Sequence, residues 1–189
     1  NAFQHYAFLN AWNKANDGDL KAIGNTTISP IRLYSKKITS LSQIKSGDTI
    51  AVPNDASNES RALYVLKNAG LIGLSVSGDT LATVKDINSN PKNLVIKELD
   101  AAQTPRALDS ITAAVINDDF ATTAKLTVEE SIYTEPVNKD SEQWINIIVA
   151  NKKDANNKIY KEVVKAYQTE ATKKAIEKAY PDKRKIAAW

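Results

Sequence analysis

The β-branched run Thr49 to Val52 closes on Pro53, and the polar loop Pro53-Asn54-Asp55-Ala56-Ser57 feeds into a helical pattern with apolar Leu63, Val65 and Leu66 that Gly70 ends. This strand, polar loop and amphipathic helix form the repeating element of α/β proteins. The same order returns further on, with Leu94 to Leu99 as a strand and Thr104-Pro105 as a cap with proline in the first helical turn. Ala113 to Ile116 is then a buried strand running into Asn117-Asp118-Asp119 and a helix through Ala124. Strands alternating with helices predict mainly parallel sheets, whose ligand sites lie beyond the carboxyl ends of the strands. That directs attention to Asn54, Asn117 and the loops around them.

The rest of the chain is read in the same way. His5, Phe8, Leu9 and Trp12 recur at helical spacing between Gln4 and Lys14, and Asp17-Gly18 stops the pattern. A strand is predicted from Leu20 to Ile28. Ser29-Pro30 breaks it, and Ile31 to Tyr34 reads as a second extended run, suited to crossing between domains. Ser40-Leu41-Ser42-Gln43 and Thr127-Val128-Glu129-Glu130 are capping boxes, and Thr83 to Asn88 suggests a short helix. Trp144 to Val149 is the last strand, followed by helices from about Asp154 to Tyr167 and from Thr169 to Ala179.

Composition removes whole classes of chemistry. The chain has no cysteine, which excludes thiolate nucleophiles and zinc-thiolate sites, and His5 is its sole histidine, which excludes multi-histidine metal centres. There is no glycine-rich phosphate loop and no carboxylate pair at defined spacing, so the sequence predicts a binding protein without cofactor or metal rather than an enzyme. The longest apolar run, Trp144 to Ala150, is strand-sized and contains Asn146, so no segment is read as crossing a membrane. Of the net charge of +3, residues 152 to 185 hold eleven Lys/Arg against five Asp/Glu. Glu170 faces Lys174 at i,i+4, the pattern of a solvated helix face, and no aromatic-interleaved basic stripe accompanies it; no nucleic-acid partner is expected.

Arg61 lies one turn after Asn58, near the start of the helix that follows the Pro53 loop. Unsatisfied N–H groups, the positive end of the helix dipole and a guanidinium fork together suit a carboxylate or phosphate. The same residues allow a surface arginine paired with Glu59 or Asp55. Asn117 ends an apolar strand and Asn146 interrupts another; each amide can accept from a ligand ammonium or satisfy a neighbouring strand end. Phe3 and His5, aromatic at helical spacing, read equally as core.

Asn1-Ala2-Phe3-Gln4-His5, Tyr34-Ser35-Lys36-Lys37-Ile38, and Ala51-Val52-Pro53-Asn54-Asp55 with Asn58 and Arg61 stand in one order. So do Asn90-Pro91-Lys92-Asn93-Leu94, Glu98-Leu99-Asp100-Ala101, Pro105-Arg106-Ala107-Leu108-Asp109, Ala113-Ala114-Val115-Ile116-Asn117 and the terminal Ala187-Ala188-Trp189. Over essentially its whole length the chain resembles the MetQ/NlpA family of methionine-binding lipoproteins. The resemblance implies an α/β, two-lobe periplasmic-binding-protein-like fold with two crossover strands. Residues 1–32 with 120–189 would form a first lobe lacking the family's N-terminal strand-helix-strand unit, and 33–119 the second, with the lobes closing on ligand like a hinge.

The resemblance further implies a substrate-binding protein that delivers L-methionine, or a close relative, to the permease of an ABC importer. It would be extracytoplasmic and held to the cell membrane by a lipid anchor outside this chain. Arg61 would pair with the ligand carboxylate, Asn117 and Asn146 would hold its ammonium and carboxylate groups, and Phe3 and His5 would line the thioether pocket, with Asn58 a further contact. In an empty site Arg61 is expected to be hydrated, so that its loss would cost binding more than fold stability. The alternatives are a carrier of a methionine-containing dipeptide or another amino acid, and a surface lipoprotein with an interaction role. Ser60 before the arginine and Tyr6-Ala7-Phe8 depart from the family pattern at the rim of the implied pocket.

Overall fold

The computed structural model describes residues 1–77 and 80–189, with Asp140 as backbone alone. The chain divides into two compact units, one built from Asn1–Ser29 and Val137–Trp189, the other from Pro30–Pro136. It opens with β1 (Gln4–His5), α1 (Tyr6–Asn16), β2 (Lys21–Asn25) and β3 (Thr27–Ile28). The middle unit then holds β4 (Arg32–Tyr34), β5 (Thr49–Pro53), α2 (Ala56–Asn68), β6 (Gly73–Leu74), β7 (Ile87–Ser89) and β8 (Val95–Leu99). It continues with α3 (Thr104–Ala107), β9 (Ala113–Ile116), α4 (Asp118–Thr123) and β10 (Ser131–Thr134). The chain ends with β11 (Asn146–Ala150), α5 (Lys158–Tyr167), α6 (Glu170–Ala179) and β12 (Ile186–Ala187).

The middle unit is a five-stranded sheet in the order β10-β4-β9-β5-β8. β5 runs parallel to both its neighbours, β8 and β9, whereas β4 is antiparallel to both β9 and β10. The expectation of mainly parallel sheets is therefore corrected to a mixed sheet. Helical connections make parallel neighbours, but β4 and β10 bring the chain into and out of the unit and lie side by side in opposite directions. That pairing also places residues 120–136 in the middle unit, whereas the sequence reading sets them in the first lobe with the second crossover near Phe120 to Pro136. Each face of the sheet has its own core, because alternate side chains point to opposite sides. Leu33, Ile50 and Val52 pack with Leu63 and Leu66 of α2 on one side, while Tyr34, Ala51 and Ile116 pack with Leu108 and Ala121 on the other.

The unit formed by the chain ends carries a wholly antiparallel sheet, β1-β11-β2, and the small pair β12-β3. The predicted strand Leu20 to Ile28 is split at Thr26, whose backbone N–H and hydroxyl both donate to the Asn146 carbonyl, at 2.8 and 2.9 Å. The predicted helix from Gln4 begins two residues later because Gln4 and His5 pair with Ile147 and Asn146. Gly24 lies in close approach: a Cβ there would meet Val164 Cγ1 of α5 at 2.5 Å, so a side chain at this position would force Val164 to shift.

Local signals act where they stand. Asp55 caps α2 by accepting from the Asn58 N–H, Gly70 turns the chain at φ 73°, and Asp17 itself takes the left-handed conformation that ends α1. The capping boxes at Ser40 and Thr127 are present, each starting a single 3-10 turn. Thr83 also opens a capping box over Val84–Asp86, and the short helix predicted there is one 3-10 turn leading into β7. Among the described residues no helix is long and apolar enough to cross a membrane.

Candidate functional site

The six candidate residues collect in two groups, one in each unit. In the middle unit Asn58 and Arg61 stand on the first turns of α2, and Asn117 stands where β9 passes into α4. The groups form a directed chain of hydrogen bonds. Asp55 can only accept, and takes the Asn58 backbone N–H at 3.1 Å and the Asn58 amide Nδ2 at 3.0 and 3.1 Å. That turns Asn58 Oδ1 outward, where it receives Asn117 Nδ2 at 2.8 Å. The remaining Asn117 atom, Oδ1, is buried and has no hydrogen-bond partner among the described residues. A buried acceptor without a donor costs about 1 to 3 kcal/mol, so this carbonyl is a place for a donor to arrive.

Arg61 pairs with neither Glu59 nor Asp55. Its guanidinium meets Glu135, with Nε donating to Oε1 at 2.9 Å and to Oε2 at 3.2 Å, and Nη2 donating to Oε2 at 2.5 Å. Only 4% of Arg61 is exposed. The expectation of a hydrated arginine is thus corrected. Glu135 follows β10, whose pairing with β4 brings it beneath α2, and it further accepts the Ile31 N–H at 3.1 Å while its own N–H donates to the Ile31 carbonyl. A second buried arginine, Arg32, is also matched inside the unit: Nη1 donates to the Pro30 carbonyl and lies 3.6 Å from Asp118. Glu59, buried on α2, accepts the Val84 N–H at 3.0 Å. Loss of hydration raises its pKa above the usual carboxylate value, against the opposing pull of that hydrogen bond.

Glu135 was missed because it lies 74 residues from Arg61 and carries no motif. The only trace in the sequence is an acid standing immediately before Pro136 at the close of a β-branched run.

In the other unit His5 and Asn146 are directly opposite across β1 and β11. His5 is buried; its Nδ1 accepts the Phe8 N–H at 3.0 Å and so caps α1, and its ring meets Trp144 edge-on at 5.2 Å. Asn146 is half-buried and Phe3 is 66% exposed. A hollow of about 470 Å³ in this unit, lined by Leu20, Ile23, Ile148, Tyr160 and Val163 among others, contains none of the six. No group of acidic or imidazole side chains suited to a metal occurs among the described residues.

The middle unit's cluster, a buried arginine beside an asparagine relay that ends in a buried acceptor, has the chemistry to meet a small charged molecule. The family model for NlpA lipoprotein matches residues 1–189. The chain belongs to the NlpA lipoprotein family. It is 43% identical over 185 residues to the D-methionine-binding lipoprotein MetQ of Escherichia coli K12, covering 95% of this chain and 66% of that one. Outer membrane lipoprotein 3 of Mannheimia haemolytica is 43% identical over 171 residues, covering 90% of this chain and 64% of that one. The chain therefore spans just under two thirds of the length of these relatives.

Solved structures of family relatives share the fold. The substrate-binding protein of a methionine transporter from Streptococcus pneumoniae aligns with a TM-score of 0.91 at 52% identity, covering 100% of this chain and 75% of that one. A nutrient-binding protein from Burkholderia cenocepacia, solved bound to methionine, aligns with a TM-score of 0.93 at 40% identity, covering 100% and 78%. The fold is thus that of the periplasmic substrate-binding proteins, and the MetQ and Streptococcus pneumoniae relatives are named for methionine binding and transport.

Proposed function

We propose that this chain is the ligand-binding body of an ABC-importer substrate-binding lipoprotein. It holds L-methionine, or a closely related amino acid, and delivers it to the permease. The protein is extracytoplasmic and tethered by a lipid anchor outside this chain. The observation that carries the reading is Asn117 Oδ1, a buried acceptor aimed by the Asp55–Asn58 relay and without a donor among the described residues. An α-ammonium supplies that donor. Arg61 anchors the carboxylate from the first turns of α2, Asn146 completes the contacts to the amino-acid end, and Phe3 and His5 meet the thioether, a soft group suited to aromatic surfaces. Asn58 acts by holding Asn117 rather than by touching ligand.

Mass spectrometry of ligand released from the purified full-length protein, followed by calorimetry with L-methionine, D-methionine, glycyl-methionine and leucine, tests this. Methionine is expected to be recovered and to bind most tightly of the four. Preference for glycyl-methionine would make the protein a peptide carrier. Absence of any amino-acid binding would overturn the transport reading in favour of a surface lipoprotein with an interaction role.

A further inference from the structure

We propose that Glu135 is a specificity determinant: by neutralising Arg61 inside the protein, it makes the site accept a zwitterion and refuse a simple carboxylate anion. The inference rests on Arg61 being the carboxylate anchor of the function proposed above.

Arg61 and Glu135 have side chains only 5% and 7% exposed, so their charges are weakly screened by water. The carboxylate spans the Nε–Nη2 side of the guanidinium, a bidentate grip that cancels the charge and fixes the plane of the fork. Arg32, the other buried arginine, lies 3.6 Å from Asp118 and offers no spare positive charge, and the carboxyl groups of Asp55 and buried Glu59 add none. A ligand carboxylate reaching Arg61 therefore meets a pair with no net charge. It brings an uncompensated negative charge into a poorly solvated place unless it carries its own cation. An α-amino acid does, and Asn117 Oδ1 supplies an acceptor for it. Had the unit left Arg61 unbalanced, any carboxylate with a matching tail would gain the full attraction of the arginine.

Glu135 is also bonded to Ile31 through side chain and backbone, one residue after the chain enters the middle unit and one before it leaves. A purely structural residue at that position would lower the affinity of every ligand alike. The two roles are separated by comparing L-methionine with 4-(methylthio)butanoate, the same molecule without its amino group, in the full-length protein. In Glu135→Gln the affinity ratio of methionine to the anion is expected to shrink by about tenfold or more, because the unbalanced arginine now rewards the anion. Glu135→Asp keeps the charge and is expected to keep the ratio, whatever it costs in absolute affinity.

A parallel fall for both ligands in Glu135→Gln, with the ratio unchanged, overturns the proposal and leaves Glu135 a structural residue. Should Glu135→Gln not fold alone, millimolar 4-(methylthio)butanoate is expected to restore its melting transition by replacing the lost carboxylate, and failure to do so counts against the proposal. Arg61→Ala serves as the control. If that variant binds methionine like the wild type, the anchor reading itself fails and the role of Glu135 falls with it, an outcome distinct from the unchanged ratio.

Discussion

Asn117 Nδ2 donates to Asn58 Oδ1 at 2.8 Å, and since Asn58 Nδ2 is held by Asp55, neither amide can turn over without breaking a bond. A surface amide would be indifferent to which end faced a ligand. Here the orientation is imposed from the helix cap, three residues before Asn58. Asn58→Ala removes the relay while leaving Asn117 in place, and is expected to weaken methionine binding by about 1 kcal/mol. Asn117→Leu, which removes the acceptor itself, is expected to cost more. Isothermal titration of both variants checks the order; equal affinity in Asn58→Ala and the wild type would sever the relay from binding.

Arg61→Ala is expected to cost about 2 to 5 kcal/mol of ligand binding, and Arg61→Lys to recover only part of it, because an ammonium lacks the planar fork. The fold suffers as well. Removing Arg61 strands the Glu135 carboxylate in a buried position, a loss of about 3 to 5 kcal/mol. Replacing both residues, as Arg61→Met with Glu135→Met, is expected to restore most of that stability. Thermal melts without ligand check this, and a double variant no more stable than Arg61→Ala would refute the pairing argument.

Glu59 holds its proton more tightly in the folded protein than in the unfolded chain, since burial raises its pKa. The stability it contributes is complete below the ordinary carboxylate range and is lost as pH rises through the raised value. Glu59→Gln keeps a carbonyl for the Val84 N–H and removes the charge. The variant is expected to gain stability relative to the wild type on going from acid to neutral pH, read from denaturant midpoints at several pH values. A difference that does not vary with pH would rule the mechanism out.

His5→Ala removes both the Nδ1 cap of α1 and the edge contact with Trp144, and is expected to destabilise the fold by about 2 kcal/mol or more. His5→Asn restores an acceptor at the cap and is expected to recover about 1 kcal/mol of that. Chemical denaturation of the two variants measures the split between cap and ring.

Lys173 and Lys174 lie on α6, in the basic stretch that gives the chain its positive charge. Exposed charges are screened within about 8 Å at physiological salt, so changing both to glutamine is expected to leave methionine affinity within about twofold. A steep loss would tie this helix to binding.

What the sequence determined was local. Asp55 as a cap, Gly70 as a stop, the Ser40 and Thr127 boxes, and the strands around Ile50 and Val115 all depend on residues within a few positions, so their chemistry is legible without the fold. Family order named Arg61, Asn58 and Asn117, and their spacing placed the first two on one helix. Tertiary structure decided the rest: that β4 and β10 run antiparallel, that residues 120–136 join the middle unit, and that Arg61 is answered by Glu135 rather than by Glu59 or water. Strand pairing is a contest among all apolar runs in the chain, settled by how much surface each arrangement buries. A buried charge, likewise, takes whichever opposite charge that arrangement brings within reach, and no spacing along the chain encodes the choice.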